Sequence, residues 1–138
     1  MTTNQERDYS SIGIIANPLS GKDIRRLVAN ASVISTHTKS NEVLKLFSGL
    51  ASYGIKKVYA MPDYTDISRR AREQYSNQIE TILIKTNVLD AEETTIQCAK
   101  EMESKKVGCI VIFGGDGTCR LVSRHIKNTP ISVFKSFE

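Results

Sequence analysis

Val107-Gly108-Cys109-Ile110-Val111-Ile112-Phe113-Gly114-Gly115-Asp116-Gly117-Thr118 is the stretch that decides the fold of this 138-residue chain. The unbroken apolar run at residues 109–113 is what a strand buried on both faces requires, since neither side of it can look onto water. The run stops in a glycine cluster that holds one carboxylate. Gly114, Gly115 and Gly117 let a backbone turn tightly and come close to a ligand, and the spacing of Leu121, Val122 and Ile126 predicts a helix directly afterwards. A strand that hands over to a helix in this way aims the free N–H groups and the positive dipole end of the helix at the space above the strand, which suits phosphate. A carboxylate is out of place in a pure anion cradle. Asp116 therefore points to a magnesium ion that it would help to hold, or to a hydroxyl proton that it would accept.

Upstream and downstream the same alternation repeats. Strand-like runs at residues 12–16, 57–61, 81–84 and 131–134 are separated by stretches of helical spacing. Asn17, Pro18, Ser20 and Gly21 break the first run, and Ile24, Leu27, Val28 and Ala31 mark a helix. A second helix is expected over residues 41–53, with Val43, Phe47 and Leu50 inward and Gly54 at its end. A polar turn over 62–66 precedes a helix marked by Ile67, Ala71 and Tyr75, and a long helix over 91–105 turns Ile96, Ala99 and Met102 to the core. The pattern predicts the α/β class: an open, mainly parallel Rossmann-like sheet of about five strands with helices on both faces. With strand order 3-2-1-4-5, strands one and four are neighbours where the winding direction reverses, the place where open parallel sheets bind ligands. The turns at residues 17–22 and 114–118 would then face each other across one crevice.

Composition removes several other classes. An apolar fraction of 40% and a charged fraction of 25% describe a single globular domain, residues 11–138, after a pattern-free and flexible start at residues 1–10. Without a secretory apolar core or a run of membrane-spanning length, a cytoplasmic protein with no membrane partner is expected. Cys98, Cys109 and Cys119 are odd in number and lack Cys-x-x-Cys spacing, so reduced, partly buried thiols are expected in place of disulfides or a zinc site. The net charge of +4 favours anionic ligands. Basic and acidic residues interleave and no aromatic stacking platform is present, so nucleic acid is not an expected partner. A homo-oligomer stays open.

Two common phosphate patterns fail when tested literally. Gly115-Asp116-Gly117 begins like the dinucleotide fingerprint, but Arg120 stands where its third glycine belongs. Ser20-Gly21-Lys22 is followed by Asp23, and Ala16 replaces the first glycine of a Walker loop. Gly114-Gly115-Asp116-Gly117-Thr118 after a buried strand instead resembles the signature of the ATP-NAD kinases, shared more distantly with diacylglycerol-type lipid kinases and phosphofructokinases. The run Gly13-Ile14-Ile15-Ala16-Asn17-Pro18-Leu19-Ser20-Gly21-Lys22-Asp23-Ile24-Arg25-Arg26-Leu27-Val28, with Ala31-Ser32-Val33 and Met61-Pro62-Asp63 beyond it, resembles the acetoin-catabolism X branch of that family. The likeness covers nearly the whole chain.

The resemblance implies the N-terminal domain of an NAD-kinase-like fold and transfer of phosphate from ATP to the ribose 2'-hydroxyl of NAD, giving NADP. Asp116 would engage that hydroxyl as base or positioning group, with Mg2+ as an implied cofactor and nucleotides as the partners. Gly114, Gly115, Gly117 and Thr118 would line the phosphates, and Asn17, Ser20 and Gly21 match the first phosphate turn by position. Arg120 lies close enough to the helix start to reach a phosphate. Relatives continue into a largely β C-terminal domain that holds much of the NAD site, and that domain is expected to be absent from this chain. The alternative expectation is therefore a non-catalytic nucleotide-binding or regulatory module, with a lipid kinase domain third. Arg25, Arg26, Arg69, Arg70, Arg72, Arg124 and Lys127 read as solvated helix surface. His37, in a Ser/Thr-rich turn, and His125, at the edge of an apolar helix face, read as structural.

Overall fold

The computed structural model describes residues 6–16, 29–61, 65–86, 91–113 and 116–134. Strands and helices alternate along them: β1 (Ser11–Ala16), α1 (Ala29–Ser52), β2 (Lys57–Ala60), α2 (Thr65–Gln74), β3 (Glu80–Leu83), α3 (Ala91–Ser104), β4 (Ile110–Phe113), α4 (Asp116–His125) and β5 (Ile131–Val133). Every strand pair is parallel, and the order is β3-β2-β1-β4-β5. This is the open α/β sheet that the alternation predicts.

The two-residue period of the strands sorts the core into two halves. Ile12, Ile14 and Ala16 of β1 share one face with Val58, Ala60, Val111 and Phe113, and there Val43 and Phe47 of α1 and Ala71 of α2 pack on them. Ile15, Ile110 and Ile112 look the other way, onto Cys98, Ala99 and Met102 of α3 and Val122 of α4. Helices thus cover both faces. Gly13 belongs to the second face, and a Cβ there would overlap the Met102 side chain. Its bare backbone lets α3 lie close over β1 on its way from β3 to β4.

Two helices end in the same way. After α1, Gly54 takes a φ of 86°; its N–H donates to Ala51 O at 3.1 Å and that of Ile55 to Leu50 O at 3.0 Å. This pair of bonds satisfies carbonyls that the helix leaves orphaned, and it ends α1 at the glycine expected there. After α3 the left-handed residue is Lys106, with φ 59°, where the N–H of Lys106 donates to Glu103 O at 3.0 Å and that of Val107 to Met102 O at 3.4 Å. Val107 and Met102 are both fully buried, so an apolar contact accompanies the cap.

One helix is longer than expected. α1 runs unbroken from Ala29 to Ser52 through the region read as a turn around His37. Ser35, Thr36, Thr38 and Ser40 are weak helix formers, but such preferences amount to roughly 0.5 kcal/mol per residue and yield to the docking of Val43 and Phe47 on the sheet. Residues 24–28, expected in a separate helix, lie outside the described residues. α2 begins at Thr65, inside the expected turn, and α4 takes in Asp116 and Gly117 from the glycine cluster. Strand ends shift by a residue at most positions, as hydrogen-bond definitions of strand ends commonly do.

Order also reaches further toward the N-terminus than the lack of an apolar pattern suggests. Asp8 bridges to Val107 in parallel fashion, its N–H donating to Lys106 O at 2.8 Å. The Arg7 guanidinium donates to Val107 O at 3.2 Å, Thr129 Oγ1 at 3.3 Å and Asn128 O at 2.6 Å. All three cysteines are free thiols; Cys98 is buried, and burial pushes the half-buried Cys109 thiol up from its ordinary pKa. Among the described residues no helix is long and apolar enough to cross a membrane.

Candidate functional site

The register pairs Ala16 with Phe113, so β1 and β4, neighbours at the centre of the sheet, end level. Beyond β1 the chain returns along α1 on one face, and beyond β4 it returns along α4 on the other. Two adjacent strands that send their chains to opposite sides mark the place where open parallel sheets bind ligands, and the expected crevice belongs there. Asn17, Ser20, Gly21, Gly114 and Gly115, five of the residues expected to frame it, lie outside the described residues. Asp116, Gly117, Thr118 and Arg120 lie within them, all on the first turn and a half of α4.

Asp116 is the first residue of α4 and is exposed. It has no hydrogen-bond or ion-pair partner among the described residues. An aspartate in the first turn stabilises a helix by about 0.3–1 kcal/mol through the macrodipole, so Asp116 has a structural role whatever else it does. Gly117 lies inside the helix and not in a tight turn, its φ is not positive, and beyond its chain neighbours and its own helix backbone no atom stands within 4 Å of where its Cβ would be. The fold itself therefore makes no demand for glycine there, and the space remains open. Thr118 is buried, 9% exposed. Arg120 follows Asp116 by four residues, which puts both on one side of the helix, and it too is exposed.

Chemically, this is the N-terminus of a ten-residue helix, with a carboxylate at its tip and a guanidinium one turn below. Such a terminus offers unpaired N–H groups to phosphate oxygens. No group of three or more His, Cys, Asp or Glu side chains that could hold a metal is found among the described residues. Magnesium typically takes one or two carboxylates, with substrate phosphates and water filling the rest, so a lone Asp116 is a donor set of the right kind.

A polar cluster that the sequence did not reveal lies at the opposite end of the strands. Glu103 Oε2 accepts from the N–H groups of Lys127 at 3.1 Å, Asn128 at 2.8 Å and Thr129 at 3.1 Å, and from Thr129 Oγ1 at 3.0 Å. Burial pushes the Glu103 pKa up, but the bonds from Asn128, Lys127 and Thr129 outweigh it and leave the carboxyl below its ordinary value. With Arg7 on the far side of Thr129, this clasp fixes the connection between α4 and β5. No signal in the sequence points to it, because most of the donors are backbone groups. His125 Nδ1 lies 2.9 Å from Leu121 O within α4, in keeping with a structural role, while His37 falls in α1 with its side chain outside the description.

The ATP-NAD kinase N-terminal domain matches the chain over residues 12–134. Over 128 residues the chain is 35% identical to the acetoin catabolism protein X of Cupriavidus necator, a stretch covering 88% of this chain and 36% of that protein. The chain thus spans about a third of the length of this curated relative. No solved structure matches the chain significantly.

Proposed function

The chain belongs to the ATP-NAD kinase family, and from that membership we propose that the protein carrying this domain phosphorylates the ribose 2'-hydroxyl of NAD with ATP, giving NADP and ADP. The observation that carries the proposal is the exposed Asp116 at the tip of α4, beside the level ends of β1 and β4. The hydroxyl oxygen attacks the terminal phosphorus of ATP, the bond from that phosphorus to the ADP oxygen breaks, and the hydroxyl proton passes to the Asp116 carboxylate. Phosphoryl transfer depends chiefly on positioning and charge neutralisation. The N–H groups at the start of α4 and the Arg120 guanidinium would supply these from the described residues. Gly114, Gly115, Gly117, Thr118, Asn17, Ser20 and Gly21 are assigned to the phosphate-lining backbone on the strength of family membership. Magnesium, when bound, would neutralise phosphate oxygens; holding it is the alternative use of Asp116, since a carboxylate that ligates the ion accepts a proton poorly.

The test is NADP formation by the protein carrying the domain, supplied with ATP, NAD and magnesium. Asp116→Asn is expected to lower the rate by about 10²–10⁴, the usual worth of general-base help, while the melting temperature falls by only a few degrees with the lost dipole interaction. An unchanged rate in that variant overturns the role given to Asp116. Nucleotide binding without NADP formation would favour a non-catalytic module, and transfer of labelled phosphate to diacylglycerol in place of NAD would make the domain a lipid kinase.

A further inference from the structure

Strand β3 closes one side of the sheet, and just past its end a groove of about 340 Å³ opens between residues 84–86 and α3. Ile84, Lys85 and Thr86 line one wall, and Gln97, Lys100, Glu101 and Ser104 line the other. The last four recur at the spacing of a single helix face. The groove lies at the sheet's margin, apart from the crevice between β1 and β4.

Backbone direction decides what this edge can accept. Glu80 N–H donates to Lys56 O and Ile84 N–H to Ala60 O, both at 2.8 Å, so the even-numbered residues of the strand face β2. By strand alternation, the N–H and C=O groups of Thr81 and Leu83 face away from the sheet, and among the described residues no strand pairs with them. Thr81 and Thr86 also hold the two buried side-chain oxygens that find no hydrogen-bond partner among the described residues. Both belong to this one segment. A buried hydroxyl left unpaired costs roughly 1–3 kcal/mol, so this segment is short of hydrogen-bond partners. The charges of the groove are lopsided. Lys85 and Lys100 are exposed and form no ion pair among the described residues, whereas Glu101 lies 3.7 Å from Lys105.

We propose that the outer edge of β3 and the groove just past its end bind an extended peptide segment carrying an acidic side chain. The peptide adds as a further strand, bonding to the outward groups of Thr81 and Leu83, and its carboxylate lies between Lys85 and Lys100. Backbone pairing gives such a site its affinity and the groove gives it selectivity.

The test uses a fluorescein-labelled peptide of about six alternating valine and glutamate residues, a strand of ordinary length, beside a valine-lysine peptide of the same length. Anisotropy titration of the chain is expected to show binding of the first and not of the second. Lys100→Glu should weaken binding by about tenfold or more, since like charges meet where opposite ones did. Thr81→Pro should do the same, because it removes an outward donor while leaving the ladder to β2 intact. Circular dichroism and thermal melting verify that each variant is folded, and Lys100→Glu keeps the test decisive if Thr81→Pro is not. Amide exchange supplies the local readout: the N–H groups of Thr81 and Leu83 should gain protection on binding. Equal binding of both peptides, or binding without that protection, overturns the proposal. Displacement by sodium glutamate as effectively as by unlabelled peptide reduces the site to a simple anion site and also overturns it. The same holds if Thr81 and Leu83 are already protected at high protein concentration in step with dimer formation, which assigns the edge to a second copy of the chain.

Discussion

A methyl group added at Gly117 would meet no protein atom within 4 Å beyond its chain neighbours and its own helix backbone, and within a helix alanine is favoured over glycine by roughly 0.5–1 kcal/mol. Gly117→Ala is therefore expected to leave the melting temperature unchanged or slightly raised while it weakens nucleotide binding, measured by titration calorimetry with ATP and magnesium. Equal affinity in the variant would show that no ligand approaches the start of α4 closely. The opposite balance holds at Gly13, where the added methyl runs into Met102. Gly13→Ala should cost about 1–3 kcal/mol in a urea titration, the usual range for overpacking a closed core. Lys106 is a third case. A side chain in the left-handed region carries about 1–2 kcal/mol of strain, part of which glycine returns through its greater freedom when unfolded, so Lys106→Gly should stabilise by about 0.5–1 kcal/mol.

Among the elements, the connection from α4 to β5 depends on one carboxylate. The Glu103 pKa lies below its unfolded value, so its contribution is fully present above about pH 4.5, the unfolded value, and fades as the pH falls through the lower folded value. Glu103→Gln should thus lower stability by about 1 kcal/mol at neutral pH, a modest figure because solvent screens a half-buried group, and should match the parent below the folded pKa. A pH series of urea titrations checks both limbs. This clasp also marks where sequence reading stops. Strand runs and the Gly54 cap announce themselves through local pattern, whereas Arg7, Glu103 and Thr129 come together from distant parts of the chain and bind mostly to backbone. α1 escaped for a different reason. Its serines and threonines offer local hydrogen bonds that compete with a helix, and only the packing of the residues after them overrules that competition.

At the scale of the whole molecule, the strand order and the two-faced cover of helices were legible because each follows from a periodicity: two for the strands, about three and a half for the helices. The level ending of β1 and β4 was legible too, given that order. What the sequence could not show is which groups at the start of α4 reach solvent, since exposure of Asp116 and Arg120 and burial of Thr118 depend on how α4 rolls onto the sheet. β1 is buried along its whole length and has neighbours on both sides, so its amides should exchange slowest, at the rate of global unfolding, with those of β3 and β5 well ahead of them. Hydrogen exchange followed by mass spectrometry or NMR checks the ranking. The bridge from Asp8 to Val107 has a practical corollary for anyone handling the protein. Glu6 joins the body at the pole where the strands begin, while Asp116 sits where they finish, about 20 Å away along a six-residue strand. A chip linker, dye or fusion partner coupled ahead of Glu6 is thus anchored at the end of the sheet away from Asp116, and leaves that helix tip clear for titration.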